Sequence, residues 1–256
     1  MNSIILTSGP EFSTEKDKGE KKAIKLTNTL LVETLKKSIE KFDNILFVCS
    51  SPDEYKKNEE FSQIIAKSLS LSGIKFQMSD LIDSRNWLFS KGLISNSDLI
   101  VLLGGNPLEQ MEFFNDIELK DKLKKFKGCL MGISAGSINL ASNVYCSKDD
   151  DIESSLYYKG LGLTNIRIEP HFDINDSDRI NNVLIPDSNK KSFVALPNES
   201  FIVINKGGVS LFGDAYYFNE GKYNKIENNI NEIISLMKWF FDFKKCIKKR
   251  DVISPL

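Results

Sequence analysis

Two residues carry most of the chemical information in this chain of 256 residues. One is the serine of Gly132-Ile133-Ser134-Ala135-Gly136, and the other is the single histidine, His171, in Glu169-Pro170-His171-Phe172-Asp173. The first block is a G-x-S-x-G pattern set between an apolar strand and a helix-capable stretch (137–142), the context of a nucleophile elbow. Its glycines let the backbone turn sharply, and the serine then projects at a helix N-terminus, where the dipole favours developing negative charge. A serine hydroxyl needs a base to take its proton, and His171 is the one imidazole available. The reading is therefore Ser134 as nucleophile and His171 as general base. A tight strand-to-helix turn with an N-capping serine would show the same local pattern. The histidine behind a second strand tips the balance towards catalysis.

Two further pieces belong to such a site. Gly104-Gly105 closes the apolar strand that precedes the elbow and, beside it, can present a bare N–H to a tetrahedral oxyanion. The Ala135 amide after the nucleophile is the second such donor. Preorganised donors of this kind lower the barrier by about 3 kcal/mol each. The acid that would orient the imidazole stays open: Asp149, Asp150, Asp151, Glu153, Glu169, Asp173 and Glu199 all lie within reach in sequence.

The elements that must position these groups alternate in the first half of the chain. Strands read at 4–7, 44–49, 74–76, 98–103 and 129–131, and helices at 22–41, 54–71 and 107–126, with Pro107 in a first turn. Strands apolar on both faces and separated by helices form a mostly parallel sheet covered on both sides. Functional groups then gather at the strands' carboxyl ends, where Ser8-Gly9, Ser50-Ser51, Gly104-Gly105 and Ser134 all fall. After residue 150 short strands read at 166–168, 192–196, 201–204, 209–212 and 215–218, with hairpin turns at Gly207-Gly208 and 219–221. An amphipathic helix over about 229–249 closes the chain, read as one domain spanning 1–256.

Composition narrows the class. Thirty-four Lys and Arg balance 35 Asp and Glu, so no basic field argues for nucleic acid. Cys49, Cys129, Cys146 and Cys246 are scattered without the clustering a zinc or iron–sulfur site needs, so neither a metal nor an organic cofactor is expected. No apolar run reaches the 18 or so residues of a membrane span, and the N-terminus shows no secretory pattern. A soluble, cytoplasmic protein with reduced thiols is expected, as a monomer or homodimer acting on a small peptide.

Taken in order, Leu103-Gly-Gly-Asn106, Gly132-Ile-Ser-Ala-Gly-Ser137 and Glu169-Pro-His-Phe-Asp173 resemble the dipeptidase E family of serine peptidases, whose relatives include cyanophycinase. The resemblance runs from the first strand to about residue 218. It implies a three-layer α/β sandwich of flavodoxin-like or class I glutaminase-like type, with Ser134 as nucleophile and His171 as base. It further implies the Gly105 and Ala135 amides as oxyanion hole, Asp149 as triad acid, and hydrolysis of short peptides, including dipeptides with N-terminal aspartate. The family's Gly-Gly-Asn-Thr is Gly-Gly-Asn-Pro here, and no dedicated arginine maps onto the sequence, although Arg167 and Arg179 lie near the histidine block. An esterase of the α/β-hydrolase class and a non-catalytic relative that binds a small ligand are the other readings these residues leave open.

Overall fold

The computed structural model describes residues 1–15, 21–149 and 152–226. The expected helix at 229–249, Cys246, Asp150 and Asp151 lie outside them. The first half runs β1 (Ser3–Thr7), β2 (Ser13–Glu15), β3 (Lys21–Ala23), α1 (Thr29–Ser38), β4 (Asn44–Val48), α2 (Tyr55–Leu71), β5 (Met78–Ile82), α3 (Ser90–Ser95) and β6 (Leu99–Leu102). It continues with α4 (Pro107–Asp116), α5 (Leu119–Leu123), β7 (Cys129–Ile133) and α6 (Ala135–Ile138). The second half adds β8 (Asn143–Cys146), β9 (Leu156–Lys159), β10 (Ile168–Glu169), α7 (Ser177–Arg179) and α8 (Ile185–Ser188). The last described elements are β11 (Phe193–Ala195), β12 (Phe201–Asn205), β13 (Gly208–Phe212), β14 (Tyr216–Asn219) and β15 (Lys222–Lys225).

Seven strands form the central sheet in the order β13-β12-β1-β7-β6-β4-β5. The five from β1 to β5 in that order are mutually parallel, while at one edge β12 pairs antiparallel with β1 and β13 antiparallel with β12. The fold is thus a mostly parallel α/β sandwich. Side chains alternate between two cores along each strand, as the two-residue period of a strand requires. Leu6, Leu46, Leu102 and Leu130 face a core that also holds Ile94, Phe113 and Phe114. Ile5, Phe47, Val101 and Met131 face the opposite core, filled by Leu31, Leu35, Ile65 and Leu69. Each such side chain contributes about 1.5–3 kcal/mol by leaving water, which is why the central strands read as unbroken apolar runs. A smaller aromatic core, with Tyr145, Phe193 and Phe218 stacked in series, joins the four-stranded sheet β10-β11-β14-β15 to the rest.

Several sequence expectations shift. The helix read over 22–41 begins only at Thr29, where Asn28 Oδ1 accepts from the Leu31 N–H as an N-cap. Residues 21–23 pair with 13–15 as a hairpin instead. The strand read at 74–76 is displaced to Met78–Ile82, because the Ile74 N–H turns back to the Leu69 carbonyl (2.9 Å) to finish α2. The long helix at 107–126 breaks in two at Glu118, which adopts a left-handed backbone (φ 50°). The β8–β9 hairpin and the turns of helix between 177 and 188 had no counterpart in the sequence reading.

Candidate active site

The elbow is built from contacts between three parallel strands. Ser134 follows β7 with φ 50° and ψ −111°, a backbone region that costs a non-glycine residue about 1–3 kcal/mol. Packing on both sides holds that strain. A Cβ at Gly132 would lie 2.6 Å from the Ser137 backbone, so only glycine lets β7 and α6 meet so closely. The Ser134 N–H is shared between the Thr7 and Ser8 carbonyls at 3.1 Å each. The Ser137 hydroxyl is tied to the Thr7 backbone at 2.9 Å. The following helix, read at 137–142, is a single turn, Ala135–Ile138. So short a helix offers little macrodipole, and any stabilisation of negative charge there falls to individual amides.

His171 also has a left-handed backbone, φ 55°. Its N–H donates to Ser8 Oγ (2.7 Å), and that hydroxyl in turn donates to the Leu196 carbonyl (2.9 Å). Ser8 at the end of β1 therefore clamps both the elbow and the histidine loop. The imidazole then reaches across, with Nε2 lying 2.9 Å from Ser134 Oγ. Ser134 is half-buried and His171 exposed, so the pair opens to solvent rather than into the core.

Behind the ring stands an amide where sequence reasoning sought a carboxylate. His171 Nδ1 lies 2.7 Å from Asn198 Oδ1. With Nδ1–H donating to that oxygen, Nε2 is left as the acceptor facing the serine hydroxyl, the tautomer a general base needs. Both ring nitrogens are thereby engaged, and the structure does not bring Asp149 to the ring. Asp149 lies in the charged surroundings of Arg179 instead. Glu169 is fully buried and bound by Arg179 Nη2 and Ser147 Oγ at 2.7 and 2.8 Å. Burial pushes its carboxyl upward, against the pull of Arg179. Asp173 holds Asn175, and Glu199 accepts the Glu11 N–H. Asn198 was missed because an orienting group was assumed to be acidic. Its signal lies in strand register: β10 and β11 pair in parallel, Glu169 opposite Ala195, so His171 and Asn198 leave the same sheet edge. Replacing Asn198 by alanine is expected to lower kcat by about 10- to 100-fold, less than the whole contribution of a general base, with Tm held. An unchanged kcat would mean that the amide does not orient the ring.

The dyad opens onto a cleft of about 1060 Å³. Gly9, Gly104, Gly105 and Ser50 line it, together with the apolar Phe12, Phe61 and Ile64. Lys21, Lys57 and Lys67, with Glu11 and Glu60, ring it with charge. Gly9 abuts His171 and Asn198, since a Cβ there would lie 2.8 Å from His171 Cε1 and 2.6 Å from Asn198 Oδ1. Among the described residues no hydrogen bond engages the Gly105 or Ala135 N–H. None of them forms a cluster of histidine, cysteine and carboxylate suited to a metal ion, and no helix is long and apolar enough to cross a membrane.

Comparison with known proteins matches residues 4–212 to the model of Peptidase family S51. The chain belongs to peptidase family S51. It is thus a serine-type peptidase, and the match spans β1 through β13, the whole of the central sheet. A peptidase E of Nostoc sp. strain PCC 7120 is 24% identical over 185 residues, which is 64% of this chain and 71% of that protein. A crystal structure of a candidate peptidase E from Listeria monocytogenes EGD-e superposes with a TM-score of 0.56. It has 15% identity and covers 83% of this chain and 98% of the other. That likeness places the S51 chain among flavodoxin-like sandwiches.

The three described thiols, Cys49, Cys129 and Cys146, are buried and do not line the cleft. Burial pushes Cys49, Cys129 and Cys146 each up to about 12, which disfavours the reactive thiolate at pH 8. Iodoacetamide at that pH is expected to leave all three unmodified in the folded protein and to alkylate them after unfolding, as read by site-resolved mass spectrometry. Modification of any of the three in the folded state would contradict their buried placement.

Proposed function

We propose that this S51 peptidase hydrolyses short peptides through an acyl-enzyme formed on Ser134. The observation that carries the reading is the 2.9 Å approach of His171 Nε2 to Ser134 Oγ, both of which line an open cleft. His171 takes the hydroxyl proton as Oγ bonds to the scissile carbonyl carbon, and the Nδ1–H bond to Asn198 steadies the resulting imidazolium. The carbonyl oxygen, now anionic, accepts from the Gly105 and Ala135 N–H groups. Collapse breaks the C–N bond, and the same proton passes from His171 to the leaving amine. Water, deprotonated by His171, then attacks the ester, and the released Oγ recovers a proton from His171.

The cleft's charge is mixed, Glu11 and Glu60 standing among its lysines, and it is the lysine ammonium groups that support peptides with an acidic residue, N-terminal aspartate included. Lys67 and Lys21 line it, whereas Lys57 is engaged by Glu54 at 3.4 Å. Turnover of a dipeptide library containing Asp-X and β-aspartyl members by the purified protein tests the proposal. Preference for acidic members supports it. Hydrolysis of simple esters with no peptide turned over would defeat it.

A further inference from the structure

The oxyanion donor at Gly105 needs a reason to point the right way. Glycine stands on both sides of the Gly104–Gly105 peptide, and Gly105 takes φ 141°, a region open chiefly to glycine. A peptide flanked in this manner meets little steric resistance to turning over, which would point a carbonyl at the substrate in place of the N–H. Something outside the loop must fix it.

In the sheet β6 lies between β7 and β4. The loop after β6 is therefore flanked on one side by Ser134, which follows β7, and on the other by Ser50, which follows β4. The Ser50 hydroxyl, nearly buried, donates to the Gly104 carbonyl at 2.8 Å. In a trans peptide the C=O and the following N–H point in opposite directions. With the Gly104 carbonyl drawn to the β4 side, the Gly105 N–H is turned to the β7 side, where Ser134 stands. A Cβ at Gly104 would lie 3.6 Å from Ser134 Cβ, so the loop is within reach of the reacting centre. The preceding peptide is pinned as well: Gln110 Nε2 donates to the Leu103 carbonyl at 2.6 Å. Gln110 is itself held by Asn139 Nδ2 (3.0 Å), and Asn139 by the Tyr158 hydroxyl (2.9 Å). Gln110 and Asn139 are fully buried, so this chain of bonds anchors the loop to the core.

We propose that Ser50 is a positioning residue of the oxyanion pocket: by holding the Gly104 carbonyl it keeps the Gly105 N–H aimed at the substrate oxygen. The inference rests on Ser134 being the nucleophile, and the test separates the two. The unaltered protein, Ser50→Ala and Ser50→Cys are titrated with a fluorophosphonate, whose phosphoryl oxygen occupies the same pocket, and the inactivation rate at saturation is measured apart from reagent affinity. Ser50→Ala is expected to lower the saturated rate about 10- to 100-fold, less than outright loss of a donor, with reagent affinity and Tm unchanged. Ser50→Cys, whose thiol is a weaker donor of similar size, should fall between the two and serves as the readout if the alanine variant is unstable. A saturated rate in both variants matching that of the unaltered protein would overturn the positioning role while leaving the serine reading intact. Failure of the unaltered protein to label would overturn the serine reading, and this inference with it.

Discussion

Ser134→Ala is expected to abolish covalent labelling by a fluorophosphonate and to reduce kcat on any peptide substrate by roughly 10⁶-fold, the scale on which removal of a catalytic serine acts. The loss should appear in kcat, with substrate affinity little changed, because the hydroxyl forms its bond only during reaction. The cleft walls, with Phe12, Phe61, Ile64 and the lysines, remain in place. Folding should survive: among the described residues Ser134 Oγ hydrogen-bonds to the exposed imidazole, whereas the elbow is held through the Ser134 backbone N–H. Circular dichroism and Tm matching the parent, together with lost turnover, would give the expected result. Turnover persisting in the variant would remove Ser134 from the chemistry and leave the approach of His171 without a catalytic meaning.

Gly136→Ala is expected to act through structure rather than chemistry, lowering stability by about 3 kcal/mol. A Cβ at that position would overlap the Leu102 carbonyl oxygen and crowd Leu102 Cβ, and a strand backbone cannot yield as the tip of a side chain can. The first turn after the nucleophile would be pushed off β6, dragging the Ala135 N–H and the Ser134 backbone with it, so activity falls alongside Tm. Gly92→Ala is the internal contrast. It lies within α3, and nothing stands within 4 Å of its would-be Cβ, so the substitution should raise stability by about 0.5–1 kcal/mol through helix propensity alone. Urea unfolding of the two variants should move in opposite directions. If both shift alike, the close packing of β7 and α6 against β6 is not what holds the elbow.

The candidate nucleophile and its candidate base were legible because each is marked locally. A G-x-S-x-G block after an apolar strand describes a turn that only glycines permit, and one histidine leaves no choice of base. The parallel sheet was legible for a similar reason: strands buried on both faces are mostly apolar, so the runs at 45–48, 99–102 and 129–133 announce themselves. Element ends were less so. Asn28 decides where α1 begins through one side-chain bond, and Ile74 ends α2 by turning its N–H back, and both choices depend on contacts the periodicity does not record.

By itself, then, the sequence determined which side chains could do chemistry and that a sheet would carry them at its carboxyl edge. Only the tertiary structure decided what surrounds them. Asn198 beside His171, Ser8 between histidine and elbow, and Ser50 against the Gly104 carbonyl are separated from their partners by 27, 163 and 54 positions. Strand order and register bring them together. The physical reason is that a catalytic serine is signalled by backbone strain its neighbours must permit, whereas an orienting hydrogen bond asks only for a polar atom at the right point in space. Many residues satisfy that chemically, and the packing of the whole chain selects one.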